Sequence, residues 1–463
     1  MNLALLTDLY ELTMAAGYWK SGYADKEAVF HLFFRRKPFQ GSFAIAAGLE
    51  TVLNILKEFR FEPSDLAYLA TLQGSDGKPL FEQPFLNVLS KFKLRCDIDA
   101  IPEGTPVFPY EPLLRVQGPL LDVQILESLL LNIINFQTLI ATKAARICYA
   151  ARPDPVIEFG LRRAQGIDGA LSASRAAYIG GCPSTSNVLA GKCFGIPVKG
   201  THAHSWIMAF PSEREAFKTW NDTMPGNLFF LIDTYDSLKG VKHAIDVSKK
   251  LQGVRLDSGD LAQLSIQVRK ILDEAGFHSA KIMASNELDE TIIADLKSQG
   301  AKIDIWGVGT HLVTGCEQPA LDGVYKLSAI RDSKKAPWQY KVKVSEQLVK
   351  VTNPGILQVR RFSSFDVIYD ETKGFSSHAI DPFDPTQTKE IKTEAHHDLL
   401  VPVMRAGQVI YQTPSLAKIR DHSLAEQSKL SPAVRRFLNP QPYFVGLEKS
   451  LYDLKLKLIK EAQ

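Results

Sequence analysis

Apolar and polar positions follow three successive rhythms along the chain. Residues 1–120 mix short helical stretches with strand-like runs broken by turn formers. "AVFHLFFRRKPF" (28–39) reads as a strand ending in a basic cluster, and "IDAIPEGTPVFPYEPLLRVQGP" (98–119) as short β-segments divided by proline and glycine. A long apolar stretch follows at 120–151, read as a buried helix near 122–150. Asp122, Glu127, Asn132, Asn135 and Gln137 lie within it, more polar groups than a membrane span tolerates.

The second rhythm is a series of short apolar runs, each ending in a polar or glycine-containing loop: "PVIEFGLRR", "IPVKGTHAH", "NLFFLIDTYD", "GVRLDSGD", "AKIMASNE" and "KIDIWGVGTH". Helical segments separate them. In 261–275 the apolar positions 261, 264, 268, 271, 272 and 275 form one stripe, with Asp260 as N-cap and Gly276 as stop. Further helices are expected near 187–194 and over 286–299, the latter with Asn286 as cap and Gly300 as stop. This strand–loop–helix repetition predicts an α/β fold, either a parallel barrel or an open doubly wound sheet. From about 316 a third rhythm begins. "DGVYKLSAI", "YKVKVS" and "ILQVRRF" alternate like antiparallel strands, and the tail 414–463 reads as helical and charged.

Composition narrows the picture modestly. With 463 residues, several domains are expected. The near balance of 54 Lys+Arg against 51 Asp+Glu argues against a general nucleic-acid binder. Five scattered cysteines without a CxxC pair fit a reducing compartment better than a zinc knuckle. "MNLALLTDLYEL" lacks a basic segment ahead of its apolar residues, so it is not read as a signal peptide, and a cytoplasmic location is expected, with no membrane partner.

In a parallel α/β fold the loops after the strands' carboxyl ends gather at one face, where chemistry sits. There the sequence places Arg162, Arg163, His202, His204, Asp233, Asp236, Arg255, Asp257, Asp260, Ser285, Asn286, Gly307, Gly309, Thr310 and His311. The glycines of "WGVGTH" suit an anion cradle, and equally a plain strand-to-helix turn. Arg255 and Asp257 alternate with Val254 and Leu256, so both face one side of their strand. They are either a substrate-binding pair or an internal salt bridge. Asp260 reads as a helix cap. Phe159 beside Arg162–Arg163 suits a flat aromatic acid or a phosphorylated ligand, although adjacent arginines also occur as surface charge. "GGCPSTSNVLAG" offers a second anion nest or an ordinary capped helix start.

His202 and His204, if on a strand, would share a face, as an H-x-H zinc pair requires. Asp233, His243 or His311 would then complete a metal-dependent amidohydrolase site. The remaining strand ends offer arginine, aspartate, serine, asparagine and glycine instead, an inventory suited to phosphate and sugar handling with histidine as nucleophile or base.

Eight motifs, "TDLYELTM", "FFRRKPF", "EFGLRRAQGIDGA", "STSNVLAG", "GTHAHSW", "GVRLDSGDL", "ASNELDE" and "DIWGVGTHL", together resemble the nicotinate phosphoribosyltransferases in order and spacing, over residues 5 to about 360. The resemblance implies a fold: an irregular parallel α/β barrel (139–330) with an N-terminal sandwich-like α/β domain (1–138) and a C-terminal extension (331–463) packing on it. It also implies an activity, the joining of nicotinate to 5-phosphoribosyl 1-diphosphate to give nicotinate mononucleotide and diphosphate. This is a ligase-class, C–N bond-forming entry into NAD synthesis, coupled to ATP hydrolysis through a phosphohistidine, with Mg²⁺ on the diphosphate. Quinolinate phosphoribosyltransferase is the competing reading within the class.

By motif, the resemblance makes His204 the phosphorylated nucleophile and leaves His202 without a role. Phe159 and Tyr10 become the two faces of a pyridine sandwich, Tyr10 coming from the partner subunit of a homodimer. Arg162 and Arg255 become contacts to diphosphate and substrate, with Thr201 among the substrate contacts. Asp257 becomes the ribose-hydroxyl contact that also favours oxocarbenium charge. Ser285 with Asn286, and Gly309 with Thr310, become the 5-phosphate cradle. Nicotinamide-using relatives carry an aspartate where this sequence has Ser186. A hydroxyl there can donate to the carboxylate of nicotinate, which a second carboxylate would repel.

Overall fold

The computed structural model describes residues 3–391 and 395–462. It divides into two compact units, one comprising 1–138, 320–415 and 425–463, the other 139–319 and 416–424.

In the first unit, Glu27–Phe34 is buried at every position, with the polar Glu27 and His31 buried among its apolar residues. It lies between Gly323–Arg331 and Leu114–Pro119, antiparallel to both. Asp97–Ala100, Val401–Arg405, Gln408–Val409 and Gln339–Tyr340 complete a seven-stranded sheet. A second, six-stranded sheet includes Leu357–Arg361, Phe365–Asp370 and Phe444–Glu448. Its six strands all lie within 357–448, and residues 331–463, apart from 416–424, belong to the same compact unit as 1–138, joined to it by the pairing of Val401–Arg405 with Asp97–Ala100. The tail is not wholly helical either, because Phe444–Glu448 pairs parallel with Phe365–Asp370 ahead of the helix Lys449–Ala462.

The long apolar stretch forms helices Leu120–Gln124 and Glu127–Ala151. Leu120–Ala151 is long and apolar enough to cross a membrane by composition (mean hydropathy 1.4), but 72% of its most apolar window is buried, as in a core helix. Within the second unit, Lys143 and Arg146 of this helix both reach Glu290 at 2.7 Å. Lys143 and Glu290 are almost fully buried, so this ion pair is shielded from water.

The second unit holds the parallel sheet expected from the sequence. Its strands are β1 (Val156–Glu158), β2 (Ser184–Thr185), β3 (Phe229–Leu231), β4 (Gly253–Leu256), β5 (Lys281–Asn286) and β6 (Ile305–Val308). Their order is β2-β1-β6-β5-β4-β3, with every pair parallel. The ladder ends at β2 and β3 and does not close on itself. "IPVKGTHAH", expected as a strand, is irregular: Thr185 and Val198 form an isolated bridge, and Lys199 N–H donates to Thr185 O at 3.0 Å. Further along, Leu231 N–H of β3 donates to His202 Nε2 at 3.4 Å. An irregular segment thus stands where a barrel strand was expected.

Helix boundaries follow the capping chemistry. Asp260 caps Leu261–Glu274 by accepting from Gln263 N–H at 3.0 Å. Asn187 caps Val188–Phe194 in the same way. The helix expected from 286 begins later, at Glu290, with Asp289 accepting from Thr291 and Ile292 N–H. Asn286 does not cap it, because it is the last residue of β5, held at φ +131°.

Candidate active site

The carboxyl ends of these strands and the loops that follow them line a cavity of about 310 Å³. Arg255 and Asp257 enter it together, as their alternation with Val254 and Leu256 predicts. All three guanidinium nitrogens of Arg255 are engaged: Nε donates to Ser285 Oγ at 2.8 Å, one terminal nitrogen to Thr201 Oγ1 at 3.2 Å, and the other to Asp257 Oδ1 at 2.8 Å. The Ser285 hydroxyl in turn donates to Asp257 Oδ1. The guanidinium carbon lies 5.6 Å from the centroid of the Phe159 ring. Burial alone would push the Asp257 carboxyl up, but the Arg255 guanidinium and the hydrogen bonds from Ser285 and Arg255 outweigh it, holding the group below its ordinary range. Asp257 is therefore an anion fixed in place at neutral pH.

Phe159 follows β1, where its N–H donates to Val308 O of β6 at 2.8 Å. Behind its ring stands Gly307; a Cβ at that position would lie 2.7 Å from Phe159 Cδ2 and 2.8 Å from Cε2. The ring can lie flat against β6 only because residue 307 has no side chain. Glu158, fully buried, organises the loops around it. Its carboxylate accepts from Gly160 N–H, from Ser174 Oγ at 2.9 Å and from Thr185 Oγ1 at 2.5 Å. Its carbonyl accepts from Ser186 N–H at 2.9 Å, which fixes Ser186 at the cavity wall. Arg162 and Arg163 line the opening from the exposed turn Leu161–Arg163, and Gly309, Thr310, Asn286 and Glu287 line it from the loops after β6 and β5. Thr310 Oγ1 donates to Glu287 Oε1 at 3.2 Å.

The two histidines part company. His202 is buried, with its ring 4.9 Å from that of Trp220 and 6.2 Å from those of Phe217 and Phe230. Burial lowers its pKa to about 4, so it stays neutral, packed in this aromatic cluster at the wall of the cavity. His204 opens the short helix His204–Met208 and is partly exposed. Its Nδ1 lies 3.1 Å from Thr234 Oγ1, and its Nε2 lies 3.6 Å from Asp257 Oδ2. The shared strand face needed for a zinc pair is absent. Among the described residues no group of three or more His, Cys, Asp and Glu side chains is arranged as metal ligands.

Ten of the twelve residues to which the resemblance gives a part thus line one cavity, and His204 stands beside it against Asp257. Tyr10 does not join them. It belongs to the first unit, on the helix Leu9–Lys20, where its side chain is exposed. Sequence reasoning missed Glu158, Thr234 and Glu287 and gave Gly307 no individual part. A carboxylate ending an apolar run is the signal that would have found Glu158. Nothing local marks Thr234, because its significance depends on a partner thirty residues away.

Comparison with known proteins gives the family. The sequence model of the nicotinate phosphoribosyltransferase N-terminal domain matches residues 5–135, that of the family itself 156–353, and that of the C-terminal domain 364–455. The chain is 41% identical to nicotinate phosphoribosyltransferase of Bacillus subtilis (strain 168), covering 100% of this chain and 96% of that protein. It is 35% identical to the Homo sapiens protein of the same name, covering 97% and 95% respectively. The crystal structure of human nicotinic acid phosphoribosyltransferase superposes with a TM-score of 0.82 at 32% identity, covering 98% of this chain and 99% of that one. A nicotinate-nucleotide pyrophosphorylase from Pyrococcus furiosus shares the fold (TM-score 0.72) at 23% identity. The amidohydrolase and quinolinate readings find no support among the relatives that carry functional weight. With three family models spanning most of its length and such relatives matching it from end to end, the chain belongs to the nicotinate phosphoribosyltransferase family.

Proposed function

We propose that this chain transfers the phosphoribosyl group of 5-phosphoribosyl 1-diphosphate to the ring nitrogen of nicotinate, and that ATP drives the reaction through phosphorylated His204. The reading rests above all on one observation: Arg255 is locked by Thr201, Ser285 and Asp257 beside the Phe159 ring, in a cavity that also presents Ser186, Arg162 and the Gly309–Thr310 turn. The pyridine ring lies on Phe159, with Ser186 donating to its carboxylate and Arg162 and Arg255 meeting the carboxylate and the diphosphate. The ring-nitrogen lone pair forms the new bond to C1 of the ribose as the C1–O bond breaks, its electron pair leaving with diphosphate. Asp257, held anionic, contacts the ribose hydroxyls and favours the positive charge that develops on the sugar. Ser285, Asn286, Gly309 and Thr310 cradle the 5-phosphate.

Mg²⁺ commonly binds through one or two carboxylates together with substrate phosphates and waters. Asp257 and Glu287 on the cavity wall suit that mode, and the ion would neutralise charge on the departing diphosphate.

The homodimer belongs to the same proposal, with Tyr10 reaching the partner's site. Leu6, Leu9, Tyr10 and Met14 expose an apolar face at the start of the chain, and Leu161, Ile167, Val188 and Leu189 expose another in the second unit. Burial and the nearby Glu127 carboxylate push the Tyr10 hydroxyl up, so it stays a neutral phenol suited to stacking. Five unpaired cysteines accord with a cytoplasmic setting.

The test is a parallel assay of nicotinate, nicotinamide and quinolinate, each with the phosphoribosyl donor, with and without ATP. Nicotinate mononucleotide formed faster in the presence of ATP is the expected result. Turnover of quinolinate, or of nicotinate with no response to ATP, would overturn the corresponding part.

A further inference from the structure

His204 offers two ring nitrogens, and a phosphoryl carrier must present one of them with its lone pair free. Its Nδ1 is met at 3.1 Å by Thr234 Oγ1, whereas its Nε2 faces Asp257 Oδ2 across 3.6 Å, beyond hydrogen-bond length. Thr234 is held firmly. It follows Asp233, whose Oδ2 accepts from Asp257 N–H at 2.8 Å and from Ser258 Oγ at 2.6 Å. Two residues later Asp236 caps the helix Ser237–Val247 by accepting from Lys239 N–H at 2.9 Å. The backbone that carries the threonine hydroxyl is thus anchored on both sides, while Nε2 makes no hydrogen bond and faces only the more distant Asp257 Oδ2.

A threonine hydroxyl can accept from a ring N–H, so its contact with Nδ1 accommodates the tautomer that carries the proton there. We infer that Thr234 is a positioning residue: by accepting the Nδ1 proton of His204 it leaves Nε2 as the nitrogen that takes the phosphoryl group, and it blocks Nδ1. This rests on the reading of His204 as a phosphoryl carrier. In the step, the Nε2 lone pair forms the N–P bond to the γ-phosphorus of ATP as the bond from that phosphorus to the β,γ-bridging oxygen breaks. The electron pair leaves with ADP. The proton stays on Nδ1, facing Thr234, and the ring's positive charge is offset by the phosphoryl oxygens.

The experiment labels the full-length protein with γ-³²P-ATP and locates the phosphate by ³¹P NMR, comparing wild type, Thr234→Ser and Thr234→Val, each checked for folding by thermal melting. Wild type and Thr234→Ser are expected to carry phosphate on Nε2 at similar rates. Thr234→Val, which keeps the shape and loses the hydroxyl, is expected to label roughly two- to tenfold more slowly, the worth of one hydrogen bond, and to place part of its phosphate on Nδ1. Equal rates and the same isomer in the valine variant would overturn the assignment while leaving the phosphohistidine reading standing. Equal impairment of serine and valine variants would overturn it too, since the hydroxyl would then not be the operative group. A wild type that takes no label on His204 would remove the reading itself, and this inference with it.

Discussion

Gly307→Ala tests the site through its least conspicuous member. The added methyl would lie 2.7 and 2.8 Å from two carbons of the Phe159 ring, against an optimal carbon–carbon separation of about 3.5–4.0 Å. Backbone on β6 is fixed by pairing on both sides, with β5 through Ser285 and with β1 through Ile157. The ring must therefore retreat by roughly 1 Å, into the cavity. Overpacking of this kind costs about 1–3 kcal/mol, and at about 2–4 °C per kcal/mol the melting temperature should fall by roughly 2–12 °C. The kinetic effect should be larger in proportion, since a displacement of about 1 Å at a substrate platform can cost on the order of 100-fold.

The assay pairs thermal melting with initial rates over a range of nicotinate concentrations at saturating phosphoribosyl donor. KM for nicotinate should rise and kcat should fall. The double variant Gly307→Ala/Phe159→Leu should recover stability, because the smaller side chain clears the methyl, but not activity, because the aromatic face is gone. An interaction energy of at least about 0.5 kcal/mol between the two changes is expected. A variant that loses stability and keeps kcat/KM would show that the Phe159 ring is not the platform. Strictly additive losses would show that the two residues do not press on each other.

The remaining predictions concern single positions. Ser186→Asp should lower nicotinate turnover relative to nicotinamide, because a carboxylate would replace a donor facing the substrate's carboxylate; an unchanged ratio of the two rates refutes the placement. His204→Ala should abolish labelling by ATP and ATP-stimulated synthesis, read by phosphate release alongside product formation, with some uncoupled synthesis surviving. His202→Ala should instead cost about 2–4 kcal/mol of stability, measured by denaturant unfolding, while His204 still accepts label. His202 also has a pH signature. Its pKa falls from 6.5 to about 4 on folding, so the unfolded chain takes up the proton first, and stability is lost as pH drops through that window. The loss is about 3 kcal/mol, and His202→Phe should flatten the stability curve there relative to wild type.

How much of this was legible depended on whether the information was local. The alternation of Arg255 and Asp257 about Val254 and Leu256 needed only a strand, and β4 supplies one with both side chains in the cavity. Asp260 as a cap and Gly276 as a stop, the latter at φ +83°, were legible for the same reason. The zinc-pair alternative rested on a strand, and 196–203 is irregular; His202 turns to the aromatic cluster while His204 starts a helix. Asn286 looked like a cap because asparagine before a helical pattern usually is one, but sheet pairing with Val308 extends β5 through it. The grouping of 331–463, apart from 416–424, with 1–138 was hidden because it rests on pairing such as that of Val401–Arg405 with Asp97–Ala100, about three hundred residues apart, which no local pattern announces.

The two readings of Arg255 and Asp257, structural salt bridge and substrate-binding pair, do not exclude each other. Asp257 uses one oxygen, Oδ1, for Arg255 and Ser285, and turns the other, Oδ2, toward His204. Under the proposed function, the salt bridge prepares the pair for binding. A free arginine would spend rotamer entropy each time it met a phosphate, whereas one held at all three nitrogens has already lost that freedom on folding. Under the proposed mechanism, the same bridge keeps Asp257 ionised where positive charge would develop on the sugar. It follows that substitutions at 255, 257 and 285 cannot be partitioned into structural and catalytic shares, because each removes an anchor from the other two. Their effects on activity should be strongly non-additive, and the loss from any one should approach the loss from all three.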